Sequence, residues 1–162
     1  MNKIINSSLA LASICYTSFI SAHDISGSLG NSTSGAVATD IWSVECYNDG
    51  SGVPTKLFAQ VKDAQPILKP TISIQITKTV NGKTQKTSIN TDTKDGDTKY
   101  STGVSLKPTS ALGGGIGAYN FVITKSQTSP IVTGTEVYAV KFHCQTKTNS
   151  HTGTEYSQIE NY

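Results

Sequence analysis

The most regular stretch of the chain runs from Glu136 to Gln145. Tyr138, Val140, Phe142 and Cys144 fall on one side of an alternation, and Val137, Ala139, Lys141, His143 and Gln145 on the other. A period of two residues places successive side chains on opposite faces of an extended backbone, so this stretch predicts a β-strand with one buried face. The same period recurs along the chain. Residues 39–47 put Trp42, Val44 and Cys46 on one face. Residues 56–62 put Leu57, Ala59 and Val61 together and leave Phe58 opposite, as beside a sheet edge. Residues 71–77 turn Ile72, Ile74 and Ile76 inward and Ser73, Gln75 and Thr77 outward, the pattern of an antiparallel sheet wet on one side. Residues 118–124 do the same with Tyr119, Phe121 and Ile123, and residues 100–106 with Val104 and Leu106. A short first strand from His23, with Ile25 and Leu29 inward, and a last strand over residues 154–159 complete the set.

Between these runs lie turn residues. Asn81-Gly82 is a hairpin signal that joins the isoleucine strand to the polar run 84–89, an edge strand whose lysines discourage further pairing. Asn48 to Gly52, the acidic segment from Asp92 to Lys99, Gly113 to Gly117 and Asn149 to Gly153 read as turns and loops, as does Asn31 to Gly35, where Asn31-Ser32-Thr33 also fits a glycosylation acceptor. Pro66 and Pro70 bracket one break and Pro130 marks another. No segment sustains a helical period, and the abundance of Ser and Thr over Leu, Met and Glu favours strand. Regularly spaced short strands predict an all-β fold, a single antiparallel β-sandwich without a second domain or internal repeat.

The first 22 residues stand outside that pattern. Lys3 supplies a positive start, Leu9 to Tyr16 an apolar core, and Ile20-Ser21-Ala22 a small residue at a cleavage point. The pattern is that of a secretory signal peptide, residues 1–22, leaving a β-sandwich domain of residues 23–162 that starts at His23. The apolar run is too short to span a bilayer, and no transmembrane segment is expected in the mature chain. Export places the protein in the periplasm or outside the cell. Cys15 lies within the signal and follows Ile14, which does not suit a lipoprotein acylation site. Cys46 and Cys144 remain, and two cysteines in an exported chain predict a disulfide between them. Both sit on inward faces, one on an early strand and one on the penultimate strand. That arrangement resembles an immunoglobulin-like domain, which implies two sheets pinned through the core with an aromatic packed nearby. Here the tryptophan is on the cysteine's own strand, and Phe142 rather than tyrosine stands two residues before Cys144.

Charge excludes one class of partner. The 162-residue chain has a formal net charge of +2, its basic residues are all lysine, and they are spread singly. A nucleic-acid binder shows a clustered basic patch and arginine forks, so no nucleic-acid partner is expected. No Ser lies in a Gly-x-Ser-x-Gly setting, the glycine run at 113–117 lacks the lysine of a phosphate loop, and the carboxylates are dispersed in sequence; an enzyme is not expected. Asp92, Asp95 and Asp97 offer oxygen ligands for Ca²⁺, but their spacing departs from the EF-hand loop and reads as a solvated turn. Tyr47, Phe58, Tyr156 and Tyr162 are candidates for an interaction face toward an unidentified protein or surface. The one metal constellation starts at His23, whose α-amine and imidazole would both be free after cleavage. With His143 or His151 it resembles the histidine brace of copper monooxygenases and periplasmic copper carriers, which implies copper as the ligand. The expected function is therefore a non-enzymatic structural or interaction module, with copper binding through His23 and either His143 or His151 as the alternative.

Overall fold

A computed structural model describes residues 22–30, 38–65, 70–126 and 134–160. The expected signal segment up to residue 21, with Cys15, and the sites at Asn31, Pro66, Pro130 and Tyr162 lie outside the described residues. The elements are β1 (His23–Leu29), β2 (Thr39–Tyr47), β3 (Lys56–Asp63), β4 (Ile72–Val80), β5 (Lys83–Lys86), β6 (Asn90–Thr91), β7 (Val104–Leu106), β8 (Gly117–Lys125), β9 (Glu136–Gln145) and β10 (His151–Glu160), with a one-turn 3-10 helix at Ser110–Leu112. Every strand pairing is antiparallel.

The strands form one continuous path, β5-β4-β8-β2-β10-β9-β3-β7, with β1 added to β9 and β6 to β4. The path wraps into a nearly closed, barrel-like arrangement. Its two halves are joined through β10, which pairs with β9 at His151 and Thr152 and then with β2 from Gly153 onward. The change of partner falls at Gly153, where a Cβ would meet the Tyr47 ring at 2.5 Å. Strand β1 takes the ladder of β9 that β10 gives up, pairing His23 with Phe142 through to Leu29 with Glu136. On the far side, Gln85 crosses the seam with its side chain: its Nε2 donates to the Lys107 carbonyl at 3.2 Å, and its Oε1 accepts from the Thr109 amide at 3.2 Å.

The inward parity forms the core. Val44, Leu57, Ala59, Val61, Ile72, Ile74, Ile76, Phe121, Ile123, Val140 and Phe142 are wholly buried, and Phe121 meets Phe142 edge-on at 5.1 Å. The Asn81-Gly82 hairpin forms with φ of 50° and 73°, positive at both central residues as a type I′ turn requires. Strand β5 is an edge strand, as its polar sequence implies, but it ends at Lys86. Phe58 lies one strand in from the end of the path, since β3 is flanked by β9 and the terminal β7; its ring is covered by the backbone at Gly103 and by His143.

Cys46 and Cys144 form the disulfide, with Cα atoms 5.6 Å apart and both residues wholly buried. It ties β2 to β9 across a sequence separation of 98 residues. Closing so long a loop removes disorder from the unfolded chain worth about 4.7 kcal/mol on the chain-entropy model, an upper figure. Thiol labelling of unfolded, unreduced protein should detect no free thiol at either position. Replacing both cysteines by alanine should lower stability by about 2–4 kcal/mol, read as a reduced urea midpoint; quantitative labelling of both thiols in the unfolded, unreduced protein would overturn the bond.

Candidate functional site

The inward parity does not stop where the hydrophobic residues stop. In β3 it continues from Leu57, Ala59 and Val61 to Asp63; in β9 it reaches back from Tyr138 to Glu136. Both carboxylates are wholly buried. The register sets Asp63 opposite Tyr138, one inward step from Glu136. The turn after β6 brings a third carboxylate, Asp95. Two bonds dock that turn on the end of β3: Asp92 Oδ2 accepts from the Asp63 amide at 2.9 Å, and the Gly96 amide donates to the Asp63 carbonyl at 3.2 Å; within the turn, Asp92 Oδ1 accepts from the Lys94 amide at 3.1 Å. One oxygen from each of Asp63, Asp95 and Glu136 lies within 4.8 Å of the others.

Asp63 Oδ2 accepts from the Ile72 amide at 3.0 Å. Its Oδ1, and both oxygens of Glu136, are buried without a hydrogen-bond donor. Leaving a buried acceptor unsatisfied costs about 1–3 kcal/mol, and more when it is charged. The local cation is Lys125, itself buried at the inward end of β8, whose Nζ donates to the Gly134 carbonyl at 2.7 Å. Burial pushes the Asp63 carboxyl up to about 7, helped by the negative charges of Asp95 and Glu136. Burial likewise pushes Glu136 up to about 7, with Lys125 opposing and Asp95 adding to the rise.

A buried polar chain runs beside this cluster. Trp42 Nε1 donates to Tyr138 Oη at 2.8 Å, and that hydroxyl donates to Asp40 Oδ2 at 2.6 Å. Asp40 is again an inward-parity residue, wholly buried.

Sequence-based reasoning passed over Asp63 and Glu136 because each stands at the end of its hydrophobic run. Extending the same alternation by one step, from Val61 and from Tyr138, would have found both. Nothing in the linear pattern points from either to Asp95, and the 92–97 turn, read as solvated, supplies it to a largely buried cluster.

The histidines are placed differently. His143 and His151 project on the outer face, their rings stacked with centroids 3.8 Å apart and 20° between planes. Phe58 backs His143 at 5.4 Å. The Gln145 side-chain nitrogen lies 2.7 Å from His143 Nε2, and His143 Nδ1 is buried without a hydrogen-bond partner. Burial pushes the His143 pKa down to about 4, with His151, His23 and Lys56 adding positive charge nearby. His23 is paired with Phe142 in register, so its ring follows Phe142 to the inner face, 5.7 Å from that ring and 5.9 Å from Tyr156. The sheet thus brings two of the three histidines together and sets the third ring on the other side of β9. Among the described residues, the three-ligand group within 4.8 Å is the carboxylate one, not a histidine one.

No protein-family model matches the chain, and neither the curated proteins nor the solved structures contain a significant match.

The depressed pKa of His143 sets a direction for pH. The unfolded ring takes up a proton below its ordinary value of 6.5, and the folded ring does so only near 4. Stability is therefore lost as pH falls through that window, by about 2 kcal/mol after allowance for solvent screening. An NMR titration should show the His143 ring proton shifting near pH 4, and a His143→Gln chain should show a flatter melting temperature between pH 6.5 and 4.5. A normal titration near 6.5 would refute the buried setting.

Proposed function

We propose that this chain is an exported, non-enzymatic β module that acts through its surface rather than through a reactive cleft. The observation that carries this reading is the wholly buried Cys46–Cys144 bond. A core disulfide suits an oxidising compartment, and with the signal-like residues 1–22 it supports the periplasm or cell exterior. Among the described residues no helix is long and apolar enough to cross a membrane. Its link between an early and the penultimate strand is also what supports an immunoglobulin-like relationship.

Chemistry at the carboxylates argues the same way. Strongly raised carboxyl pKa values often mark active sites. Asp63 and Glu136, however, are wholly buried, which favours a structural role for them over contact with a substrate.

The surface that supports an interaction role is the second half of β10. Glu155 to Glu160 are all exposed, and among the described residues this segment uses its ladder on one side only, against β2. Tyr156 and Ile159 are 45% and 54% exposed, and Tyr47 stands 37% exposed on the neighbouring strand. Tyr156 is held from behind by Phe142, Trp42 and His23, which makes it a rigid aromatic on an open edge. Fractionation followed by N-terminal sequencing should find the chain outside the cytoplasm, beginning at His23. A Tyr156→Glu, Ile159→Glu chain should keep its melting temperature and lose a co-purifying partner. A cytoplasmic, thiol-reduced protein, or a partner set unchanged by the double substitution, would overturn the reading.

Copper coordination is the second reading, and the adjacent imidazoles of His143 and His151 support it. Under it, Cu²⁺ titration should give a nitrogen-coupled EPR signal that His143→Ala and His151→Ala both abolish. Identical spectra in wild type and variants would dismiss it.

A further inference from the structure

We propose that Asp63, Asp95 and Glu136 form a binding site for a divalent, oxygen-seeking cation of the calcium class, where the end of β3 and the start of β9 meet the 92–97 turn. This does not depend on the export or interaction reading, since it rests on the interior alone.

The first support is the supply of oxygen. Asp63 Oδ1 and both Glu136 oxygens come from wholly buried residues, gathered in the cluster, and no donor meets them. A buried polar atom in a native fold is normally partnered by protein, water or an ion, so three such oxygens in one cluster ask for a shared partner. The Ile72 amide meets Asp63 Oδ2, so Oδ1 is the Asp63 oxygen left without a partner.

The second support is distance. Three oxygens no more than 4.8 Å apart lie at most about 2.8 Å from their common centre. Calcium takes oxygen at about 2.3–2.6 Å in a flexible shell, so the set needs to draw in by only a few tenths of an ångström. Magnesium demands about 2.0–2.1 Å and octahedral order, a larger contraction of buried backbone. No cysteine or histidine belongs to the cluster, which disfavours zinc and copper.

The third support is charge. Among the described residues, Asp63, Asp95 and Glu136, with Asp92 beside Asp63, outnumber the ammonium of Lys125, and a divalent cation offsets that excess of negative charge. Without it, the carboxyl groups must hold protons or repel one another. Such an ion would also hold together three segments distant in sequence: the end of β3, the start of β9 and the 92–97 turn. Asp92, which bonds the Asp63 amide and the Lys94 amide, already presets that turn.

The test uses the full chain, treated with chelator and returned to ion-free buffer. Adding CaCl₂ should raise the melting temperature by several degrees and saturate with one ion per chain, and MgCl₂ should need at least tenfold higher concentration for the same shift. TbCl₃ should give tyrosine-sensitised luminescence that CaCl₂ displaces, because Tyr138 is the register partner of Asp63. Asp63→Asn and Glu136→Gln should each lose the calcium shift and the terbium signal. In chelator these variants should melt at or above the wild-type temperature, because each removes a repelling charge; a merely structural role for the carboxylates would instead lower it. Asp49→Asn, on the exposed turn after β2, should keep the full calcium response. No shift and no luminescence in the wild type at millimolar ion, or responses equal in wild type and Glu136→Gln, would overturn the site and leave protons as the partners of the cluster.

Discussion

Strand β9 is the piece on which the rest of the fold hangs. It shares one long edge with β3 and divides the other between β1 and the first residues of β10. Its inward face carries Tyr138, Val140 and Phe142 into the core and ends at Cys144, whose bond to Cys46 fastens it to β2 in the other half. Backbone bonds hold neighbouring strands, but they do not cross the interior. The disulfide and the packed inward residues do that, and together they keep β10 in reach of both halves. The change of partner at Gly153 is possible because a residue without a Cβ lets the Tyr47 ring come close.

The two ends of the interior differ in how their charges are met. At one end the inward parity of β4 runs past Ile76 to Lys78, which is nearly fully buried. Its ammonium donates to the carbonyls of Gly114 and Ile116 and sits 4.5 Å above the Tyr119 ring, so its donors are met by the loop before β8. Burial still lowers its pKa, with Glu45 opposing. At the other end the parity of β3 and β9 delivers Asp63 and Glu136, and there the protein supplies few donors in return. The contrast matters, since one fold handles a buried lysine with ordinary hydrogen bonds and leaves a buried acidic cluster short of them.

Function divides along the same wall. The inner carboxylates, Asp63 and Glu136 wholly buried and Asp95 half-buried, suit an ion that stabilises rather than reacts. The outer surface offers the free edge of β10 and the stacked pair of His143 and His151. Tyr156 joins these regions, exposed on its outer side and backed by the aromatic group of Phe142, Trp42 and His23. The proposed ion inside and the exposed strand edge outside are compatible in one domain, because neither requires a substrate to enter.

Local pattern was enough for the strands, the hairpin at Asn81-Gly82 and the inward positions of Cys46 and Cys144. A period of two and a turn that tolerates positive φ act over a few residues and leave their mark in sequence. The same pattern held Asp63 and Glu136, at the ends of runs where a charged residue looks like a boundary rather than a continuation. Which strands become neighbours is set by contacts between residues far apart, and no local signal carries that. So it took the tertiary structure to flank β3 on both sides, to bring Asp95 to Asp63 and Glu136, and to stack His143 on His151 while pairing His23 with Phe142 on the opposite face. Sequence determined which face of each strand a side chain occupies; only the closed arrangement decided what it meets there, because that depends on register and winding across the whole chain.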